Sequence, residues 1–327
     1  YAAIAKRERP CAAACGVNAI ESDELGRAKI NPDKCVSCGM CMVSCPFGAI
    51  ADKSQIFQLI LAMQQGQEVV AIVAPAFVGQ FGPLATPDKI KEALKVLGFS
   101  DVYEVALGAD IGAMAEAKHY VDTVPDKIPF LLTSCCPSWA MLAKKFFPDL
   151  IYNISNELTP MVATARYVKE KHPSACVTFI GPCAAKKLEA SRKTVRSDVD
   201  FVITFEELMG MFAAKGIEFA DLEPESGFDG ATAAGRGYGV AGGVADAIEM
   251  CIRKYYPDKK VNVDRAEGLA DCRRLLQLAK AGKRRGYLME GMGCPGGCIG
   301  GAGTIIPVNK AAIALESFKK STAKKTP

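Results

Sequence analysis

Thr133-Ser134-Cys135-Cys136-Pro137-Ser138-Trp139 sets two adjacent cysteines between an apolar run, Ile128–Leu132, and a stretch of helical spacing, Ser138–Phe147. The local order is strand, cysteine turn, helix. Two other stretches repeat it. Gly181-Pro182-Cys183-Ala184-Ala185-Lys186-Lys187-Leu188-Glu189 follows the run Ala175–Ile180, and Glu290-Gly291-Met292-Gly293-Cys294-Pro295-Gly296-Gly297-Cys298 follows Gly286–Met289. Open parallel sheets bind ligands beyond the carboxyl ends of their strands, so three such ends can meet at one buried site. The runs Val69–Ala74, Val102–Ala106 and Phe201–Thr204 also read as strands. Lys89–Leu97, Ile111–Tyr120, Leu158–Lys171, Phe205–Lys215, Gly242–Lys254 and Gly268–Ala281 read as helices. This alternation predicts an α/β fold of parallel sheets covered by helices on both faces. Two lobes are expected, with a break near residues 155–175.

The chain of 327 residues is long enough for two or three domains and a sizeable core. Half its residues are apolar and 23% are charged, an ordinary globular balance. A net charge of +4 is too mild to argue for nucleic acid. The lysines at Lys319-Lys320 and Lys324-Lys325 read as a solvated, frayed end. No apolar run reaches the roughly 18 residues that span a membrane. No secretory signal is visible, although a chain that starts at Tyr1 leaves room for upstream sequence. Fourteen cysteines in a chain with its own core point to metal or redox chemistry in a reducing cytoplasm, not to a disulfide framework. Only two histidines are present, which argues against a His-rich zinc or copper centre. Cys176, Cys251 and Cys272 lie inside apolar elements and read as inert core residues.

Residues 1–54 form a distinct segment, rich in cysteine and poor in apolar periodicity. Cys35-x2-Cys38-x2-Cys41-x3-Cys45-Pro46 has the spacing of bacterial ferredoxins, in which short loops wrap a [4Fe–4S] cube. Cys11-x3-Cys15 resembles the tail of a matching first half, with Gly16 in place of the usual proline. In two-cluster ferredoxins the fourth cysteine ligates the other cluster. Swapped ligation then gives one full set, Cys15, Cys35, Cys38 and Cys41. Cys11 and Cys45 are left as half of a second set. Either its other ligands lie upstream of Tyr1, which is favoured here, or that cluster is lost or incomplete. The competing reading is a structural zinc knuckle, but zinc sites usually pair two distant Cys-x2-Cys knuckles and not one dense run.

In the remaining 55–327 segment, Cys136, Cys183, Cys294 and Cys298 make four thiolates, enough for one more cube, and leave Cys135 over. The glycines around Cys294 and Cys298 let backbone N–H groups approach a cluster's sulphurs. These three stretches resemble, in the right order, the three motifs of [FeFe]-hydrogenases, and the likeness covers roughly residues 65–310. The resemblance implies a two-lobed H-cluster domain preceded by a small α+β ferredoxin-like 2[4Fe–4S] domain. It also implies the H-cluster: a [4Fe–4S] cube joined through a cysteine sulphur to a diiron centre with CO, cyanide and an azadithiolate. Carried over by position, Cys136, Cys183, Cys294 and Cys298 hold the cube, Cys298 bridges to the diiron unit, and Lys186 hydrogen-bonds a cyanide. Cys135 is the implied proton relay, continued by Glu116 and Ser155, with His119 at the place of the family's outer glutamate. H2 and protons are the implied substrates. A ferredoxin or another redox subunit is the implied electron partner.

Around the diiron site the chain departs from the best-studied members. Gly181 stands for a methionine, Met161 for a glutamine, Ala76 for a serine and Tyr238 for a phenylalanine, while Pro75 and Met292 keep their places. Ala76 and Met161 remove hydrogen-bond donors and Gly181 removes bulk, so potential, oxygen sensitivity or catalytic bias is expected to differ. Two other functions fit parts of the pattern. Hydrogenase-like iron–sulphur assembly factors keep the cube ligands without the diiron unit, but typically lack a cysteine at the position of Cys135. An H2 sensor keeps the cluster and turns over slowly. Gly237-Tyr238-Gly239-Val240-Ala241-Gly242 fits G-x-G-x-x-G with Asp264 about twenty residues on, but no strand precedes it, so it reads as a loop against a helix or cofactor.

Overall fold

The computed structural model describes residues 9–327; the first eight residues of the 1–54 segment lie outside the described residues. That segment folds into short pieces: helix Pro10–Ala13, an antiparallel pair β1 (Ile20–Ser22) and β2 (Ala28–Ile30), and helix Met40–Val43. Pieces this short cannot bury a core of their own. Val17, Ala19 and Val36 instead share a core with Trp139, Leu142, Leu269 and Met289. Lys145 fastens the cysteine loop from the other side, donating to the carbonyls of Pro32 (2.7 Å) and Cys35 (2.8 Å).

Two parallel sheets form the rest. The first has the order β4-β3-β6-β7, from β3 (Val69–Val73), β4 (Asp101–Glu104), β6 (Cys176–Ile180) and β7 (Phe201–Ile203). Every residue of β3 is buried, which is why its sequence is an unbroken apolar run. Helix Phe205–Lys215 follows β7 behind a capping box, in which Thr204 accepts from the Glu207 N–H and Glu207 accepts from the Thr204 N–H. The second sheet has the order β5-β9-β8, from β5 (Leu131–Leu132), β8 (Asn262–Glu267) and β9 (Tyr287–Met292). The parallel sheets flanked by helices are those the alternation predicts.

Several elements differ from expectation. Strand β8 reads as polar in sequence because it is a half-exposed edge strand. Helices Ile56–Gln64 and Val308–Ser321 were not expected, and the helix expected at Ile111 begins at Ala106. The sheets do not divide near residues 155–175. Each takes strands from both sides of that point, so the chain crosses between them three times. The lysine tail is not frayed: Lys324 and Lys325 offer their carbonyls to the N–H groups of Ala233 (2.8 Å) and Ala234 (3.2 Å), the first turn of helix Ala233–Arg236.

The first and third cysteine motifs interlock. Trp139 is fully buried and donates its indole N–H to the Thr133 carbonyl at 3.1 Å. A Cβ at Gly291 would lie 2.2 Å from that indole, so only glycine lets β9 run this close.

Candidate active site and metal centres

Three strand ends carry the cysteines: Cys135 and Cys136 after β5, Cys183 after β6, and Cys294 and Cys298 after β9. The thiols of Cys136, Cys183, Cys294 and Cys298 lie close together, and their neighbours raise the pKa of Cys183, Cys294 and Cys298. Burial is the larger cause and pushes Cys183 to about 11. Neutral thiols crowded in a dry site gain much from a cation that takes the thiolate form. The Gly293 N–H points at Cys136 Sγ from 3.4 Å, the kind of contact that tunes a cluster's potential.

In the N-terminal segment, Cys15, Cys35, Cys38 and Cys41 line one cavity of about 430 Å³. Cys15 Sγ accepts from the Ala19 N–H (3.2 Å) and Cys35 Sγ from the Ser37 N–H (3.4 Å). The four thiols are thus set around one volume. That donor set suits a multinuclear cluster better than zinc. Cys11 and Cys45 line a separate cavity of about 460 Å³ with Arg9, Arg27 and Phe47, and no other cysteine lines it among the described residues. Cys38 also bears on Cys294 electrostatically, so the first cavity and the strand-end cysteines are neighbours.

A third cavity, of about 60 Å³, lies between the strand ends and is lined by Pro75, Cys135, Met161, Lys186, Tyr238, Met292 and Cys298 among others. Ala76 is buried but does not line it, and neither does Gly181. The bulk missing at Gly181 is restored by a neighbour. A Cβ there would sit 2.6 Å from the Phe179 ring, and Phe179 lines the cavity.

Lys186 is buried and has a partner that the sequence reading missed. Its Nζ lies 2.6 Å from Glu189 Oε2 and 3.4 Å from the Cys135 carbonyl. An ammonium has three donors, so one remains for the cavity. Burial lowers its pKa, but Glu189 outweighs this and leaves it above the ordinary lysine value. Glu189 in turn accepts from the Thr159 hydroxyl at 2.9 Å. The cavity thus offers apolar walls, one spare cation donor and the Cys298 thiol, a chemistry compatible with a small anionic metal group.

Cys135 is half-buried, and desolvation followed by the charge of Glu116 lifts its pKa well above the usual thiol value. It therefore holds its proton at rest. Glu116 is buried near the Ser155 hydroxyl and the Ser134 N–H, which pull its pKa down against burial, and its Oε1 has no hydrogen-bond partner in the protein. Ser155 Oγ accepts from the Glu157 N–H at 3.2 Å. Glu157 Oε1 lies 3.9 Å from His119 Nδ1, and both side chains reach solvent. Glu116 thus has Cys135 on one side and Ser155 on another, and Glu157 stands beside His119. Glu157 carried no signal in the sequence, because the Ser155 turn uses only its backbone N–H, which almost any residue offers. Glu290 is a further buried carboxylate, pushed up to about 7 by burial, that caps helix Gly243–Tyr255 through the Gly242 and Ala245 N–H groups.

Burial pushes the Glu116 pKa up to about 7 from an ordinary 4.5. The folded chain therefore keeps a proton that the unfolded chain releases between those values. Stability is lost as pH rises through that window, by roughly 3 kcal/mol once both states are ionised. Glu116→Gln is expected to melt higher than the parent at pH 8 and alike near pH 4. Equal melting temperatures at pH 8 would show that the carboxylate is not held in this way.

The model described as "Iron only hydrogenase large subunit, C-terminal domain" matches residues 67–302, and "4Fe-4S binding domain" matches residues 28–51. The NADP-reducing hydrogenase subunit HndD of Solidesulfovibrio fructosivorans is 29% identical over 82% of this chain and 55% of its own length. The chain spans about half the length of the curated hydrogenases it matches first. Protein NAR1 of Arabidopsis thaliana is 26% identical over 87% of this chain and 75% of its own. The fold is shared with a variant of [FeFe]-hydrogenase HydA1 from Chlamydomonas reinhardtii, at a TM-score of 0.69 and 24% identity over 83% of this chain and 91% of that one. No described helix is long and apolar enough to cross a membrane.

Proposed function

Because the chain belongs to the iron-only hydrogenase large-subunit family, we propose that it is an [FeFe]-hydrogenase interconverting protons, electrons and H2. Cys136, Cys183, Cys294 and Cys298 would hold the cube of an H-cluster, with Cys298 on the wall of the neighbouring cavity, and Lys186 would anchor the diiron unit in that cavity. The bound diiron group supplies a metal that polarises H2 and an amine that exchanges its proton. The protein's own residues move that proton: Cys135 passes it to Glu116, which hands it through Ser155 to His119 and Glu157 at the surface. A thiol suits the innermost place because it carries a proton without a permanent charge in a dry site.

Cys15, Cys35, Cys38 and Cys41 hold an accessory [4Fe–4S] cluster. It lies on the Cys38 side facing Cys294, and so relays electrons between the cube and a ferredoxin or another redox subunit. Free thiols in this number suit the cytoplasm, where this reading places the protein.

The observation that carries the proposal is the free Cys135 thiol, half-buried beside the four ligand thiols and backed by Glu116. The likeness to NAR1 favours a second reading, an iron–sulphur assembly protein with the cube alone. Infrared spectroscopy after loading with the diiron cofactor separates the two. Sharp CO and cyanide bands are expected. A protein that keeps its cube yet shows no such bands is not a hydrogenase.

A further inference from the structure

Tyr238 stands in the turn Gly237–Gly239 and is 6% exposed. It lines the same cavity as Cys135, Lys186 and Cys298. Its hydroxyl has no hydrogen-bond partner within the protein. A phenol buried without a partner destabilises the chain, and phenylalanine would fill nearly the same volume without that penalty. The hydroxyl is therefore not there for packing.

The cavity is poor in donors. Its walls are otherwise built of alanine, proline, valine, methionine, phenylalanine and glycine. Beyond the prospective ligand Cys298, the only lining side chains able to donate are Cys135, Lys186 and Tyr238. Lys186 is largely engaged by Glu189, and Cys135 is the thiol that must give up its proton in turnover. Burial, then the charges of Glu116 and Cys135, push the phenol's pKa well above the ordinary value, so the O–H remains a donor throughout.

We propose that the Tyr238 hydroxyl donates a hydrogen bond to an acceptor atom of the diiron group that this cavity would hold, and so helps bind and tune it. This rests on the hydrogenase reading. The role is one of binding and tuning, separate from the proton line that leaves through Glu116.

The test compares the parent protein with Tyr238→Phe, each with and without the diiron cofactor. Without it, the variant is expected to melt a few degrees higher, because an unsatisfied hydroxyl has been removed. With it, the gain in melting temperature on loading is expected to be smaller in the variant. The CO and cyanide bands are expected to move by several wavenumbers at equal cluster content. Unmoved bands would overturn the proposal. So would an unloaded variant that melts lower than its parent, since the hydroxyl would then have a partner in the protein. A parent that shows no CO or cyanide bands after loading is a different failure, that of the hydrogenase reading, and it is visible before the variant is made.

Discussion

Cys135→Ala is expected to keep its clusters and lose most of its H2 turnover. Removing a general acid–base group costs about 10²–10⁴-fold in rate. Here nothing stands ready to replace it. The cavity wall offers no water-exposed acid at that point, and Glu116 reaches outward to Ser155 and Ser134. The cube is untouched because Cys135 is not among its ligands, so the infrared bands should persist at nearly parental intensity. The neighbouring change, Cys136→Ala, should do the reverse and forfeit the cube itself. Two adjacent cysteines would then give opposite results, one silent in spectroscopy and dead in catalysis, the other losing both. H2 production by Cys135→Ala at the parental rate would refute the relay role.

Arg236→Met is expected to produce the largest loss of stability. Arg236 makes a two-pronged pair with Glu104, at 2.8 and 2.6 Å. It also donates to the Thr322 hydroxyl at 2.7 Å, and its guanidinium lies 4.0 Å from the centre of the Phe318 ring. Both partners of the pair are buried. Removing the cation leaves the Glu104 carboxylate enclosed and alone, which costs about 3–5 kcal/mol and lowers the melting temperature on the order of 10 °C. The unpaired carboxylate prefers its protonated form, so the deficit should shrink as pH falls. The double change Arg236→Met with Glu104→Gln should recover much of the loss, because a desolvated ion pair is a poor net stabiliser. A single variant that melts with the parent would mean that the pair contributes nothing. Arg236 also immediately precedes the Gly237–Gly239 turn, so its loss should loosen the wall that carries Tyr238.

How much was legible in the sequence followed from how local each feature is. The cysteine loops are short, and cluster size constrains their spacing, so Cys35, Cys38 and Cys41 could be grouped by counting. Swapped ligation added Cys15, and the structure sets all four around one cavity. The buried strands β3 and β6 announce themselves as apolar runs. Strand β8 did not, because an edge strand with one wet side need not be apolar. Glu189 sits in the same motif as Lys186 and three residues on along helix Ala184–Ala190, yet a helix surface offers several such neighbours and only the packing shows that these two pair. The filling of the Gly181 space by Phe179 was hidden for a different reason. A side chain missing at one position was balanced by the orientation of another, and only three-dimensional packing shows that.

The three crossings between the sheets also set an order of events as the chain emerges during synthesis. Cys15, Cys35, Cys38 and Cys41 are all present once the first few dozen residues are made, and their loops close over short distances. The other four thiols come from β5, β6 and β9, and β9 pairs with β5 only after the intervening strands of the first sheet have been laid down. The four strand-end thiols therefore cannot be gathered until nearly all of the polypeptide has left the ribosome, whereas the four N-terminal thiols are present early. Because Val17, Ala19 and Val36 pack on Leu269 and Met289, even that early group is held firmly only when the last strand arrives.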